Sequence, residues 1–329
     1  MKALVTGGGG FLGGAIVRRL AARGDEVASF SRREHPELER LGVATHIGNL
    51  ADFAAVARAV EGAEVVFHVG ARAGVWGRTA DFHRTNVVGT ENVIAACRRH
   101  GVNRLVYTSS ASVVFDGRDQ EGADESLPYP RRYLAAYPRS KALAEQRVLA
   151  ASGAELATVA LRPHLVWGPG DNHLVPRVLA RSRAGKLRRF RGPSRRVDAV
   201  YVENAAAAHL LAADRLAPGS AVAGKVYFIG QGEPIEVWAL IDRVLAAGGL
   251  PPVARTISPR AAYLMGGLLE VVYRGLGLRG EPPMTRFVAR QLGTSQWFDL
   301  AAARRDLGYE AEVSLDEGFE RLQEYLERQ

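Results

Sequence analysis

Residues 2–14 read KALVTGGGGFLGG: a short apolar run, then a cluster of glycines, followed by Ile16, Val17 and Leu20 at helical spacing. A strand that turns through glycines into a helix brings free backbone amides, and the positive end of the helix dipole, to one edge of a sheet. Glycine suits such a turn because it takes backbone angles closed to other residues and has no side chain to hold a pyrophosphate away from the amides. Two registers fit, Gly8, Gly10 and Gly13 or Gly7, Gly10 and Gly13. Placed between a strand and a helix, the run marks a dinucleotide site.

The same alternation continues through the first two thirds of the chain. EVASF, ATHIGN, AEVVFHVG, NRLVYTSS, ATVALRP and KVYFIG are strand-like, and most are separated by helical stretches. The clearest helices are TNVVGTENVIAACRRH and YPRSKALAEQRVLAAS. This predicts an α/β protein, a Rossmann-like doubly wound parallel sheet covered on both faces. From about Val166 the pattern changes to turn-rich WGPGDNH, an arginine-rich stretch and, after Gly230, mostly helices, the last opened by Ser314 and Glu317 as a capping box. The expected division is a nucleotide-binding domain of residues 1–165, with 197–230 returning to it, and a smaller, mostly helical substrate-binding lobe of residues 166–196 and 231–329.

With 329 residues, 47% hydrophobic and 24% charged, the chain is globular and neither disordered nor fibrous. The single cysteine, Cys97, excludes an internal disulfide and a cysteine metal cluster. A first strand beginning at Lys2 leaves no room for a leader, and the longest apolar stretch, AAYLMGGLLEVVY, is too short for a bilayer span and contains Glu270, so the expected location is the cytoplasm. Net charge is +8, concentrated between Arg177 and Arg196, where nine basic residues occur without an acid. One aromatic residue there and no recognisable binding module argue against nucleic acid. A solvated basic face is expected, with one or two arginines turned to an acidic ligand or a membrane surface.

At the end of the second strand the chain reads SRREHPE. The ribose 2′ position of a dinucleotide is read about there, by an acid when it is a hydroxyl and by arginine when it is a phosphate. Asp25 and Glu26 lie at the other end of the strand, roughly 15 to 20 Å away. Ser31, Arg32 and Arg33 occupy the reading position, and a guanidinium grips a phosphate in two places, so NADP(H) is expected. Glu34 keeps NAD(H) as the alternative.

In AAYPRSKALAEQ, Tyr137 precedes Lys141 by four residues, so on a helix both project from one face. A phenol titrates near 10, and a neighbouring cation eases proton exchange at neutral pH. Upstream, YTSSAS places hydroxyls at Thr108, Ser109, Ser110 and Ser112 at a strand's C-terminal end, where open α/β sheets bind ligands.

At these residues the chain resembles an extended short-chain dehydrogenase/reductase of the 3β-hydroxysteroid dehydrogenase-like group, through TGGGGFLG, YTSSASV, YPRSK, LRPHLVWGPGD and PPMTRFVARQL. The resemblance implies a catalytic set of Ser110, Tyr137 and Lys141, with Ser109 and Ser112 close enough to replace Ser110. It places the cofactor against Gly7, Gly10, Phe11, Leu12, Gly13, Ser31, Arg32, Arg33, Asn49, Leu50, Gly70 and Ala71, with Tyr137, Lys141, Pro163 and His164 at the nicotinamide end. Asn49 departs from the family's usual Asp near the adenine. A homodimer that pairs the helices beginning near Thr85 and Tyr137 is implied as well.

Three branches share this apparatus. Dehydratases place an acid pair just after the catalytic hydroxyl, where this chain has Ala111 and Ser112, and NAD-dependent nucleotide-sugar epimerases fit poorly with two arginines after the second strand. The third branch holds hydroxysteroid-type dehydrogenases and carbonyl reductases. AGVWG, AACRRHGVNRLVYTSS and LATVALRPHLVWGPGD are similar to the bacterial 2-alkyl-3-oxoalkanoate reductases of long-chain olefin biosynthesis. That likeness implies a long-chain substrate and partner enzymes of the same pathway. Leu264, Met265, Leu268, Leu269, Val271, Val272 and Leu276 are expected either in a core helix or in a wall over an acyl chain with peripheral membrane contact. A catalytically dead dinucleotide sensor is disfavoured because Tyr137 and Lys141 are both present.

Overall fold

Strands of Val, Ile, Leu and Ala with no polar face are stable only when covered on both sides. The computed structural model, which describes residues 1–278 and 280–329, places all seven expected strands in one parallel sheet. They are β1 Lys2–Thr6, β2 Glu26–Ser31, β3 Ala44–Ile47, β4 Val65–His68, β5 Arg104–Thr108, β6 Ala157–Pro163 and β7 Val226–Ile229, in the order β3-β2-β1-β4-β5-β6-β7. The chain winds outward from β1 to β3, then crosses back to β4 on the other side of β1. Ligands bind open sheets at such a reversal of strand order. Here it brings Gly7, after β1, so close to Gly70, after β4, that a Cβ on Gly7 would lie 2.8 Å from the Gly70 Cα.

Helices Phe11–Ala22 and Val202–Arg215 pack together, as do Phe53–Val60 and Gly89–Arg99. Buried alanines at 205, 206, 208, 212 and 213 let the Val202–Arg215 helix approach closely. Helix Ala136–Ala150 lies against Gly89–Arg99 and β6.

Beside the main sheet, Ile235–Glu236, Arg196–Val197, Gln296–Phe298 and Gln120–Ala123 form a four-stranded sheet. Residues 120–123, which precede Tyr137 in the chain, thus pair with residues near its end. Phe298 stacks on Phe228 of β7 with centroids 4.0 Å apart, joining the two sheets.

The apolar helix Pro259–Gly275 buries only Ala262, Gly266 and Glu270. Leu264, Leu268 and Val271 are 72%, 65% and 68% exposed. The expectation of a core helix therefore fails: the apolar stripe faces outward, while the small Gly266 lets the helix backbone meet Thr285. Among the described residues, no helix is long and apolar enough to cross a membrane.

Candidate active site

The glycine turn is held by its own backbone. Gly7 has φ of 73°, Gly10 N donates to Gly7 O at 2.8 Å, and a Cβ on Gly13 would come within 2.1 Å of that oxygen. The register Gly7, Gly10, Gly13 is therefore the one in mutual contact. Gly10 caps the Phe11–Ala22 helix with no side-chain hydrogen bond, so the first-turn amides around Phe11 and Leu12 have no side-chain cap, as a pyrophosphate site requires. At the end of β2 the Ser31 hydroxyl accepts from Gly9 N at 3.2 Å. Arg32, Arg33 and Glu34 follow, all exposed, and neither arginine has an ion-pair partner among the described residues. The sequence did not reveal that the His35 ring lies over Gly9, where a Cβ would meet it at 2.0 Å.

Asn49 spends its side-chain oxygen on Ala51 N at 3.0 Å, and Leu50 packs beneath Gly70 and Gly89. Gly70 N donates to Thr6 Oγ1 at 3.2 Å, and Ala71 is exposed just beyond. The cradle fits a dinucleotide: glycine where a side chain would intrude, helix amides for phosphates and free cations at the end of β2.

Across the sheet edge lie the hydroxyls. Ser110 is half-buried, and its Oγ sits 2.8 Å from Ser112 Oγ and accepts from Ser112 N at 3.2 Å. Ser109 and Ser112 are buried. Tyr137 stands in the first turn of the Ala136–Ala150 helix, its phenol held above the usual range by burial and eased partway back by a hydrogen bond with Ser110. Lys141 is buried, and its Nζ donates to the Thr108 carbonyl at 2.6 Å and lies 4.2 Å from the Tyr107 ring centre. Burial brings its pKa down to about 7, against an opposing pull from Glu145. The expected lowering of the phenol's pKa by Lys141 is absent here, because the ammonium turns to the strand-end carbonyl and burial governs the phenol.

Several supporting residues gave no signal in the sequence. Thr6 Oγ1 and Thr90 Oγ1 flank the His68 ring at 2.7 and 2.9 Å, and Thr90 Oγ1 donates to Asn86 O at 2.6 Å. Asn86 lies in a wide helical turn, His83–Val88, where its amide donates to Arg72 O at 3.0 Å and to Ser140 Oγ at 2.9 Å. Such wide turns concentrate at functional sites. Glu145 and Arg162 form a buried two-pronged ion pair at 2.7 and 3.0 Å, joined by Tyr129 OH at 2.6 Å. After Pro163, the last residue of β6, His164 is buried edge-on to Phe298 with its Nδ1 lacking a partner, and Leu165 has φ of 42°. A positive φ at leucine is strained, as is common at ligand clamps.

Four of the nine basic residues in the arginine-rich stretch pair with acids elsewhere in the fold. Arg177 and Arg181 meet Glu281, Arg189 meets Asp242 and Arg195 meets Asp119.

A glycine cradle facing a Ser, Tyr and Lys set across the edge of a seven-stranded parallel sheet defines a nicotinamide-dependent oxidoreductase of the extended short-chain type. The chain belongs to the 3-beta hydroxysteroid dehydrogenase/isomerase family, whose sequence pattern matches residues 4–260. It is 53% identical over 325 residues to the 2-alkyl-3-oxoalkanoate reductase of Stenotrophomonas maltophilia (strain K279a), covering 98% of each chain. To the 2-alkyl-3-oxoalkanoate reductase of Shewanella oneidensis it is 48% identical, over 98% of this chain and 86% of that one. Among solved structures, MoeE5 in complex with UDP-glucose and NAD superimposes with a TM-score of 0.76 at 25% identity, covering 100% of this chain and 99% of the other.

Proposed function

We propose that this chain reduces the 3-keto group of a long-chain 2-alkyl-3-oxoalkanoic acid to the 2-alkyl-3-hydroxy acid, using NADPH, as a step in long-chain olefin formation. The observation that carries this reading is the 53% identity over essentially the whole of both chains to a reductase of that name. The apolar groove of about 250 Å³ between helices Pro259–Gly275 and Arg286–Gly293, lined by Pro259, Tyr263, Leu264 and Ala289, suits an alkyl arm.

A dinucleotide held in the glycine cradle would supply a hydride to the carbonyl carbon. Tyr137 gives its phenolic proton to the carbonyl oxygen, so hydride and proton together convert the ketone to the alcohol. A phenol kept above its ordinary range by burial stays protonated at neutral pH, which is the form that reduction requires. Ser110, which eases the Tyr137 phenol, would polarise the same oxygen. Lys141, fixed by Thr108, sets the helix that carries Tyr137 and would hold the nicotinamide ribose. Gly7, Gly10 and Gly13 would cradle the pyrophosphate, and Arg32 and Arg33 would receive the 2′-phosphate.

Residues 166–196 and 231–329 are the substrate-binding lobe in this reading, and the protein works as a homodimer beside enzymes of the same pathway. A 3-keto acid loses carbon dioxide readily, so the test runs backwards, following NADPH formation from a 2-alkyl-3-hydroxy acid, a 3β-hydroxysteroid and a nucleotide sugar in parallel. The first should be turned over with much the highest kcat/KM; faster oxidation of the steroid or sugar would reject the acyl reading.

A further inference from the structure

The carboxylate of a 3-oxo acid sits two carbon–carbon bonds from the ketone, so the group that binds it must lie beside the group that protonates the ketone. A polar cavity of about 180 Å³ meets that requirement. One wall is Val75, Trp76 and Gly77, which continue the loop after β4 from the cradle residues Gly70 and Ala71. The opposite wall includes Ala135 and Ala136, which lead directly into Tyr137. Helix Pro259–Gly275 closes the cavity with Glu270 and Arg274. The apolar groove suited to an alkyl arm lies along the same helix, at Tyr263 and Leu264, so one helix borders a place for the head of the acid and a place for its chain.

Charge selects the head. Glu270 is buried and its carboxylate is spent on Arg286: Oε1 accepts from Arg286 N at 2.8 Å, and Oε2 accepts from Nε at 2.8 Å and from a terminal guanidinium nitrogen at 2.7 Å. Arg274 pairs with no acid among the described residues. Its guanidinium lies over the Trp76 ring at 5.0 Å, and Tyr273 meets that ring edge-on. A guanidinium backed by a ring face keeps its N–H edges free, in the fork that grips a carboxylate in two places. Arg139, two residues after Tyr137 and also unpaired with any acid among the described residues, is the second cation lining the cavity. The basic stretch of residues 177–196, where arginines turned to an acidic ligand are expected from the sequence, contributes none of the lining.

We infer, resting on the reaction proposed above, that Arg274 receives the substrate carboxylate and sets the preference for a free acid over a neutral compound of the same carbon skeleton. The test compares a 2-alkyl-3-hydroxy acid with its methyl ester, oxidised at saturating NADP⁺ by the wild-type chain, Arg274→Gln and Arg274→Lys. The wild-type chain favours the acid. Arg274→Gln lowers kcat/KM for the acid by about ten- to a hundredfold, mostly through KM, and lowers that for the ester far less; Arg274→Lys, which keeps the charge but not the fork, regains part of the preference. Both variants keep the wild-type melting temperature. Equal losses for acid and ester in Arg274→Gln, or an acid preference that the substitution leaves intact, overturn the inference while the reaction stands. Turnover of neither compound by the wild-type chain rejects the reaction and the inference together.

Discussion

Lys141 Nζ donates to the carbonyl oxygen of Thr108 at 2.6 Å, tying the first turns of helix Ala136–Ala150 to the end of β5. Thr108 is pinned from its other side, its hydroxyl 2.7 Å from His209 Nε2, while His209 Nδ1 faces Ala205 O at 2.7 Å. The neutral imidazole that satisfies both contacts donates from Nδ1 and accepts at Nε2. Lys141 is thus part of the scaffold as well as of the site, whereas Ser110 is the group that eases the Tyr137 phenol.

That difference separates two variants. Tyr137→Phe should lower kcat at least a hundredfold and leave dinucleotide affinity within about threefold, because the lost hydroxyl acts on substrate. Lys141→Ala should damage kcat, cofactor affinity and melting temperature together. Retention of more than a tenth of wild-type kcat by Tyr137→Phe, in an assay limited by chemistry, would assign the proton to another group.

Arg32→Ala should reduce the preference for NADPH over NADH by about one to two orders of magnitude, the loss of a charge-assisted contact costing roughly 1.5 to 3 kcal/mol. Paired measurements of kcat/KM for the two cofactors decide it. Equal use of NADH by the wild-type protein contradicts the assignment of Arg32 and Arg33 to the 2′-phosphate.

Buried histidines set a pH limit. Burial depresses the pKa of His68 to about 3 and those of His164 and His209 to about 4, below the ordinary 6.5. Between pH 6.5 and 4 the unfolded chain therefore binds protons that the folded chain refuses, so stability falls as pH falls through that window. At pH 5 each histidine costs up to about 2 kcal/mol. Melting temperature should drop between pH 7 and 5, with a shallower drop in His209→Gln; a flat profile would show that these rings are not held neutral.

Glu145 and Arg162 are 0% and 3% exposed, so removing one charge leaves the other buried without its partner. Glu145→Gln should destabilise by about 3 to 5 kcal/mol, and adding Arg162→Met should restore part of it. Chemical denaturation of the single and double variants gives the coupling, and additive losses would mean the pair is not coupled.

The strands and the glycine turn were legible because their signals are local: an apolar run of fixed length, or a backbone that only glycine can follow. Tyr137 and Lys141 were legible by spacing on one helix. Pairings between distant segments left no such trace. Gln120–Ala123 and Gln296–Phe298 are too short to show a period, and the contact of Lys141 with Thr108 depends on how a helix lands on a sheet. For the Pro259–Gly275 helix, composition alone could not say whether its leucines face inward or outward, since a buried stripe and an exposed one are written with the same residues. Its packing is decided by Gly266 and Glu270, two residues that a hydrophobic pattern treats as interruptions.

The most direct test of the proposed reaction is kcat/KM for NADP⁺-dependent oxidation of 2-alkyl-3-hydroxy acids as both alkyl arms are lengthened. Each buried methylene contributes about 0.8 kcal/mol, so a few added carbons should raise kcat/KM by an order of magnitude or more until the groove is full. A response flat with chain length would contradict the long-chain substrate and leave only the oxidoreductase fold standing.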